Sequence, residues 1–330
     1  MKEASKRIEW IDLAKGICIF LVAFQHVSVA LNMDYPLKVQ VTSFRMPLYF
    51  ILSGLFFKQY EGFIGFLKRK TNKLLIPFLF FLLTTSVIPF AIINHDLSLK
   101  LFFSDMNGPV YNFAIWFLLC LFEVNILFYL IQLIVGHLAS KNQTAIVLVI
   151  SLSLGCCGLA LGAAHVKNPL YVCTMLTALP FFVFGWWLRN HTRFLSQPFT
   201  WKRDVPLMIL CLVIVSTCAF YVVYAYNVIP REGIPYIYLC GIAGTLLVLT
   251  FAKFFKRIPF VSFWGQYSIM VLCTHQVVIM VMHVLLQRYL SGVPLFIAVL
   301  VSTLFICHLS IIFMRKYMPH VTAQKDVIKI

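Results

Sequence analysis

The sequence predicts an all-α, polytopic integral membrane protein with about ten transmembrane helices. Of its 330 residues, 61% are hydrophobic and only 12% are charged, whereas a soluble domain is about half apolar and about a quarter charged. The apolar residues gather in stretches close to the roughly twenty residues that a bilayer-spanning helix needs. Lysine and arginine concentrate in alternate loops between these stretches, as in multi-pass membrane proteins.

Ten apolar stretches divide the chain. They lie at 10–31, 41–57, 74–94, 111–135, 143–163, 170–189, 205–226, 235–252, 263–286 and 293–315. The basic N-terminus resembles a signal peptide, but no small-residue cleavage site follows it, so we predict that 10–31 is an uncleaved first span. No segment is long or polar enough for a soluble accessory domain, and we expect residues 1–330 to form a single transmembrane domain.

The charge distribution predicts the orientation. With a cytoplasmic N-terminus, the inner loops and tails hold twenty of the 27 lysines and arginines, and the outer loops hold five. This asymmetry follows the positive-inside rule and places both termini in the cytoplasm, in a protein of the cell (plasma or inner) membrane. It also explains the net charge of +16 without a nucleic-acid partner, for which no recognition motif is present.

The ten cysteines do not indicate a metal or redox site. Most of them lie inside apolar stretches, where cysteine behaves as a small buried hydrophobic residue. Cys156 and Cys157 are adjacent, which is not a usual spacing of metal ligands. We therefore predict no metal.

One predicted inner loop carries more charge than topology requires. Residues 63–73 read FIGFLKRKTNK, a basic stretch with interleaved apolar residues that predicts a short helix on the inner membrane surface. The simplest role for such a helix is attraction to anionic lipid. Its cations are Lys68, Arg69, Lys70 and Lys73.

The first span contains three ionisable residues, Asp12, Lys15 and His26. A charge at the bilayer centre costs about 2.5–3.5 kcal/mol on insertion scales, so each is a candidate for function. Lys15 and His26 are eleven residues apart, which places them on one helix face about 16 Å apart. Asp12 and Lys15 could instead form an i,i+3 ion pair that sets topology, and His26 could hydrogen-bond to another helix as a packing residue.

Three later spans add polar candidates. Arg45 begins the second span at nearly the depth of His26, where an arginine can also serve as an interfacial anchor. Glu123 and His275 fall near the middle of the fourth and ninth spans, and we expect them to line the same cavity. Ser53 lacks the GxSxG context of a hydrolase nucleophile.

Several segments together resemble the membrane acyltransferase-3 family, in particular its fucose 4-O-acetylase-like branch. The opening segments are RIEWIDLAKGICIFLVAFQHV, SFRMPLYFILSGLFF and KRKTNKLLIPF, and the later ones are AIWFLLCLFE, LPFFVFGWWL and FWGQYSIMVLCTH. The most specific feature is a basic residue followed by ten residues and a histidine, met by Lys15 and His26, with Asp12 three residues before. The family's histidine-Met-Pro of the second span is Arg45-Met46-Pro47 here, so the resemblance implies no proton transfer at position 45.

The resemblance implies O-acylation, usually O-acetylation, of a surface sugar, glycan or lipid-linked precursor by cytoplasmic acyl-CoA. Lys15 and the Lys68–Lys73 cluster would then bind the phosphates of acetyl-CoA or another acyl-CoA. His26 would be a general base or a transient acyl carrier.

Arg45, with His275 or Trp116, would stabilise the oxyanion or position the acceptor, and Ser53 and Glu123 would line the substrate cavity. The alternative is a transporter or flippase for a glycan or lipid, which would also need buried polar residues. We find no internal inverted repeat that would favour it.

Overall fold

A computed structural model describes residues 8–60, 62–94, 112–138, 141–164, 166, 168–225, 229–232 and 234–329. The elements, numbered in chain order, are helices α1 (Glu9–Ala30), α2 (Lys38–Gly54), α3 (Gly62–Lys70), α4 (Ile76–Leu82), α5 (Ile88–Asn94), α6 (Trp116–Leu138), α7 (Gln143–Ala163), α8 (Val172–His191), α9 (Trp201–Cys218), α10 (Ile234–Phe255), α11 (Pro259–Gln266), α12 (Ser268–Leu286) and α13 (Gly292–Tyr317).

The architecture is α-helical, as predicted. The only strands among the residues described are β1 (Val223–Ala225) and β2 (Ile229–Glu232), which form a short antiparallel hairpin between α9 and α10. Eight helices within the described ranges are long and apolar enough to cross a membrane. The other two predicted spans, 41–57 and 74–94, fall on α2 and on the helical run 62–94. The total of ten therefore stays a prediction.

The structure joins two elements that the sequence separated. The predicted surface helix 63–73 and the predicted span 74–94 form one helical run, interrupted by π-helical segments at Thr71–Leu75 and Leu83–Val87. Each π segment ends just before a proline-containing turn, at Pro77 and Pro89. Proline lacks an N–H and clashes with the carbonyl four residues earlier, and the wider π turn accommodates it without ending the helix.

The predicted span 263–286 is wrong as a single helix. It breaks at Tyr267, between α11 and α12, where the backbone leaves the helical conformation. The break occurs where α11 packs tightly against α1: a Cβ at Gly265 would overlap the backbone oxygen of Asp12, and one at Gly16 would overlap that of Val261. This contact holds α1 in place, and the break gives α12 a separate N-terminus at Ser268.

Cations gather at one end of the helical bundle, which we call the basic end and define by Lys15, Lys73, Arg189 and Lys253. Lys15 and Arg189 both face the ring of Phe56. Alternating helix directions explain this grouping, but which side of the membrane it faces stays a prediction. Part of the predicted inner and outer charge lies outside the described residues, at Lys2, Lys6, Arg7, Lys100 and Lys167.

Candidate functional site

A cavity of about 350 Å³ lies at the basic end. Its cationic lining residues are Lys15, Arg69, Lys70 and Lys73, and no described lining residue is acidic. Three helical elements supply these cations: α1, α3 and the π segment that follows α3. The structure thus brings Lys15 together with most of the basic loop, and Ser53 lines the same cavity. Lys68 does not line it; its Nζ donates to the backbone oxygen of Lys329 at 3.4 Å.

The deeper wall of the cavity is mostly apolar. It is formed by α2, α6 and the first turns of α12, with Tyr49, Phe117, Leu121, Asn125, Ser268 and Leu272 among its residues. The Tyr49 hydroxyl hydrogen-bonds to Ser268 and lies 3.5 Å from the backbone oxygen of Lys15. Because α12 begins at Ser268, its N-terminal partial positive charge also lies beside the cavity.

Burial lowers the pKa of Lys70, one of the lysines at the rim of the cavity. Lys70 lies in the α3 helix, outside the predicted spans, and desolvation lowers the pKa of its ammonium to about 8. Its Nζ also lies 5.4 Å from the centre of the Phe66 ring. Lys70 is therefore mostly charged at neutral pH but loses its proton within a mildly alkaline range.

His26 and His275 form a hydrogen-bonded pair. Nδ1 of His26 lies 3.0 Å from Nε2 of His275, and the ring centroids are 4.9 Å apart. Nδ1 of His275 lies 2.8 Å from the backbone oxygen of Val271. A carbonyl only accepts, so this Nδ1 carries the proton, and Nε2 of a neutral His275 accepts from Nδ1–H of His26. The second ring nitrogen of a neutral His26, Nε2, then has a free lone pair.

Arg45 belongs to the same cluster. Its charge is close enough to act on both His26 and His275. The backbone at Arg45 is tied to α1, because Sγ of Cys18 donates to the Arg45 carbonyl at 3.0 Å. The structure thus brings Arg45, His26 and His275 together in one cluster.

The histidine pair lies beyond the deep end of the cavity. Leu272 lines the cavity, and His275 follows three residues later on α12, a rise of about 4.5 Å. On α1, Lys15 lines the cavity and His26 lies about 16 Å further along the helix. The two parts of the site are therefore consecutive along α1 and α12.

Two predicted residues lie elsewhere. Asp12 lines a separate cavity of about 180 Å³, together with Glu9 and Arg257. Trp116 packs against the rings of Phe117 and Tyr171, at 6.1 and 5.7 Å. Neither residue lines the cavity that contains Lys15.

Glu123 also does not line that cavity, contrary to our expectation. Leu121 and Asn125 line it, and Glu123 lies two residues from each of them, about 200° around α6. Its carboxyl group instead lies on the side of Cys120 and Tyr171, on which its charge acts. The expectation was based on the depth of Glu123 in its span and did not take into account the face of α6 on which it lies.

Sequence reasoning missed Tyr49. The signal was present, because Arg45, Tyr49 and Ser53 follow one another at four-residue spacing, which places them along one face of α2. Reasoning from the sequence also missed the role of Asn72, whose partners lie more than 250 residues away. No local pattern predicts that contact.

Comparison with protein families identifies the family of this chain. The model of the acyltransferase-3 family, described as an acyltransferase domain, matches residues 8–312. The match includes the cavity and the histidine pair. Searches among curated proteins and solved structures found no match.

Proposed function

Because the chain belongs to the acyltransferase-3 family of membrane acyltransferases, we propose that it is an O-acetyltransferase that uses acetyl-CoA. The proposed acceptor is a hydroxyl group of a surface glycan or lipid-linked sugar, in line with the fucose 4-O-acetylase-like branch. The family match identifies the class of enzyme, and the donor and acceptor are the proposed part.

The cationic cavity is the observation that carries the donor assignment. Acyl-CoA is polyanionic, and four cations line a cavity of about 350 Å³ that has no acidic residue among its described lining residues. Lysine and arginine bind phosphates through charge-assisted hydrogen bonds, and the N-terminus of α12 favours an anion as well. A transporter of neutral glycans has no need of this cluster. The apolar deeper wall suits the acyl arm, which would extend towards the histidine pair.

The histidine pair supplies a base of defined orientation. His275 accepts from Nδ1–H of His26, so Nε2 of His26 is left to remove the proton of the acceptor hydroxyl. The acceptor oxygen then attacks the thioester carbonyl, the C–S bond breaks, and the CoA thiolate takes the proton from His26. Arg45 would stabilise the negative charge that develops on the carbonyl oxygen. The same Nε2 could carry the acyl group transiently, which would divide the transfer into two steps.

The first test is transfer of label from acetyl-CoA into the surface-glycan fraction of cells that express the protein. We compare the wild type with His26→Ala and Lys15→Ala at equal expression, and with Lys38→Ala as a control. Lys38 forms an exposed ion pair with Asp34 at the start of α2, away from the cavity. We expect label in the wild type and the control and strong loss in the other two variants.

Each alternative outcome has a distinct meaning. Unchanged label in His26→Ala and Lys15→Ala would contradict the residue assignment. If the wild type transfers no label from acetyl-CoA but does transfer the acyl group of succinyl-CoA or another acyl-CoA, that acyl-CoA is the donor. Absence of transfer from every acyl-CoA would contradict the proposed donor class.

A further inference from the structure

The chain segment after α13 is tied to the rim of the cavity. Pro319–Lys329, which we call the strap, runs back from Tyr317 to the π segment that follows α3. Asn72 is fully buried there. Its Nδ2 donates to the oxygen of Ile328 at 2.8 Å, and its Oδ1 accepts from the N–H groups of Val327 and Ile328 at 3.0 and 2.9 Å. A buried amide without partners is costly, so Asn72 favours the docked strap.

Lys73 connects the strap with the cavity. It lines the cavity, while its Nζ donates to the oxygen of Ala323 at 2.7 Å and lies 3.3 Å from Oδ1 of Asp326. The side chains of Lys73 and Asp326 are 46% and 38% exposed. An ion pair this open to water is weak, and another anion can replace the carboxylate at little cost.

We propose that the strap is a positioning and competing element for the donor site: Asn72 docks it, and Asp326 holds Lys73 until a donor phosphate takes the place of its carboxylate. This inference rests on the proposed use of acyl-CoA. The strap lies beyond the region that the family model matches, which ends at residue 312.

Two opposite effects follow from this arrangement. Removing the charge of Asp326 takes away the carboxylate that competes with a donor phosphate for Lys73, and the donor should then bind more tightly. Removing the amide of Asn72 frees the strap, which loosens the π segment that carries Lys73, and the donor should bind more weakly. A strap that only contributed to stability would not give effects of opposite sign.

The experiment measures equilibrium binding of acetyl-CoA to the purified full chain in lipid nanodiscs, together with acetyl transfer. At low ionic strength we expect Asp326→Asn to lower the Kd about threefold, the scale of an exposed ion pair, with kcat unchanged. Asn72→Ala should raise the Kd. Asp34→Asn, which removes the acid of a different exposed pair, should leave it unchanged. The effect of Asp326→Asn should shrink at high salt, which screens the pair.

The outcomes separate this inference from the proposed function. If the wild type binds acetyl-CoA but Asp326→Asn leaves the Kd unchanged or raises it, the strap does not compete with the donor. If Asn72→Ala folds and binds like the wild type, Asn72 does not position the rim. If it does not fold, Asp326→Asn decides alone, since a partly exposed side chain tolerates the change. Absence of binding in the wild type would instead overturn the proposed donor, and the strap's role with it.

Discussion

Replacing His275 tests how the two histidines act together. In the proposed reaction, the buried His275 ring fixes the proton of His26 on Nδ1 and leaves Nε2 to act as the base. In His275→Phe the acceptor is lost, so His26 can rotate and take the other tautomer. His275→Gln keeps a side-chain acceptor near the position of Nε2 and should retain much of the activity.

The expected magnitude follows from the role of a base. General-base catalysis contributes about 10²- to 10⁴-fold, and loss of orientation removes part of it. We expect His275→Phe to lower kcat about 100-fold, which corresponds to about 2.7 kcal/mol of transition-state stabilisation. His275 does not line the cavity that contains Lys15, the proposed donor site, so the KM for acetyl-CoA should change little.

The assay is steady-state acetyl transfer by purified protein, with kcat and KM determined separately. His308→Phe is the matched control, because His308 stacks on the ring of Phe260, contacts the tilted ring of Phe263 and has no place in the proposed reaction. The double variant with His26→Ala should be no slower than His26→Ala alone, since residues that act as a unit are not additive. A kcat of His275→Phe within threefold of the wild type, or losses that multiply in the double variant, would refute the reasoning.

Two further predictions concern the rim and the packing of α1. Burial lowers the pKa of Lys70 to about 8, so Lys70 loses its charge as the pH rises through 8, and the Kd for acetyl-CoA should rise up to about tenfold from pH 7 to pH 9. The arginine of Lys70→Arg stays charged, so this variant should not show the rise in Kd. If the Kd of the wild type and of Lys70→Arg changes with pH in the same way, Lys70 does not contribute. Gly265→Ala should destabilise the fold by about 1–3 kcal/mol or more, because its Cβ would overlap the Asp12 oxygen. Gly136→Ala, with open space around it, should not destabilise it, and equal melting temperatures for the two variants in a thermal-shift assay would contradict the packing argument.

Much of the site followed from local sequence. The face shared by Lys15 and His26 depends only on the helical repeat, and α1 is a continuous helix from Glu9 to Ala30. The basic segment was predicted to be helical, and α3 is a helix. Its extension into the next span was not, because a proline usually predicts the end of a helix and the π turn before Pro77 is the exception.

Other features depended on which helix faces which. The depth of Glu123 was readable from its place in the fourth span, but its face relative to Leu121 and Asn125 mattered only once α6 had packed against its neighbours. The break at Tyr267 likewise arises from the close approach of α11 to α1. Apolar composition does not reveal either of these, because every residue of a buried helix can be apolar.

The sequence by itself determined the class of protein, the approximate spans and the charged face of α1, because bilayer thickness and the helical repeat act on neighbouring residues. Only the tertiary structure decided that His26 pairs with His275, which is 249 residues away, and that the strap docks on Asn72. These contacts depend on the packing of distant helices, and local periodicity carries no information about which distant residue will be the partner.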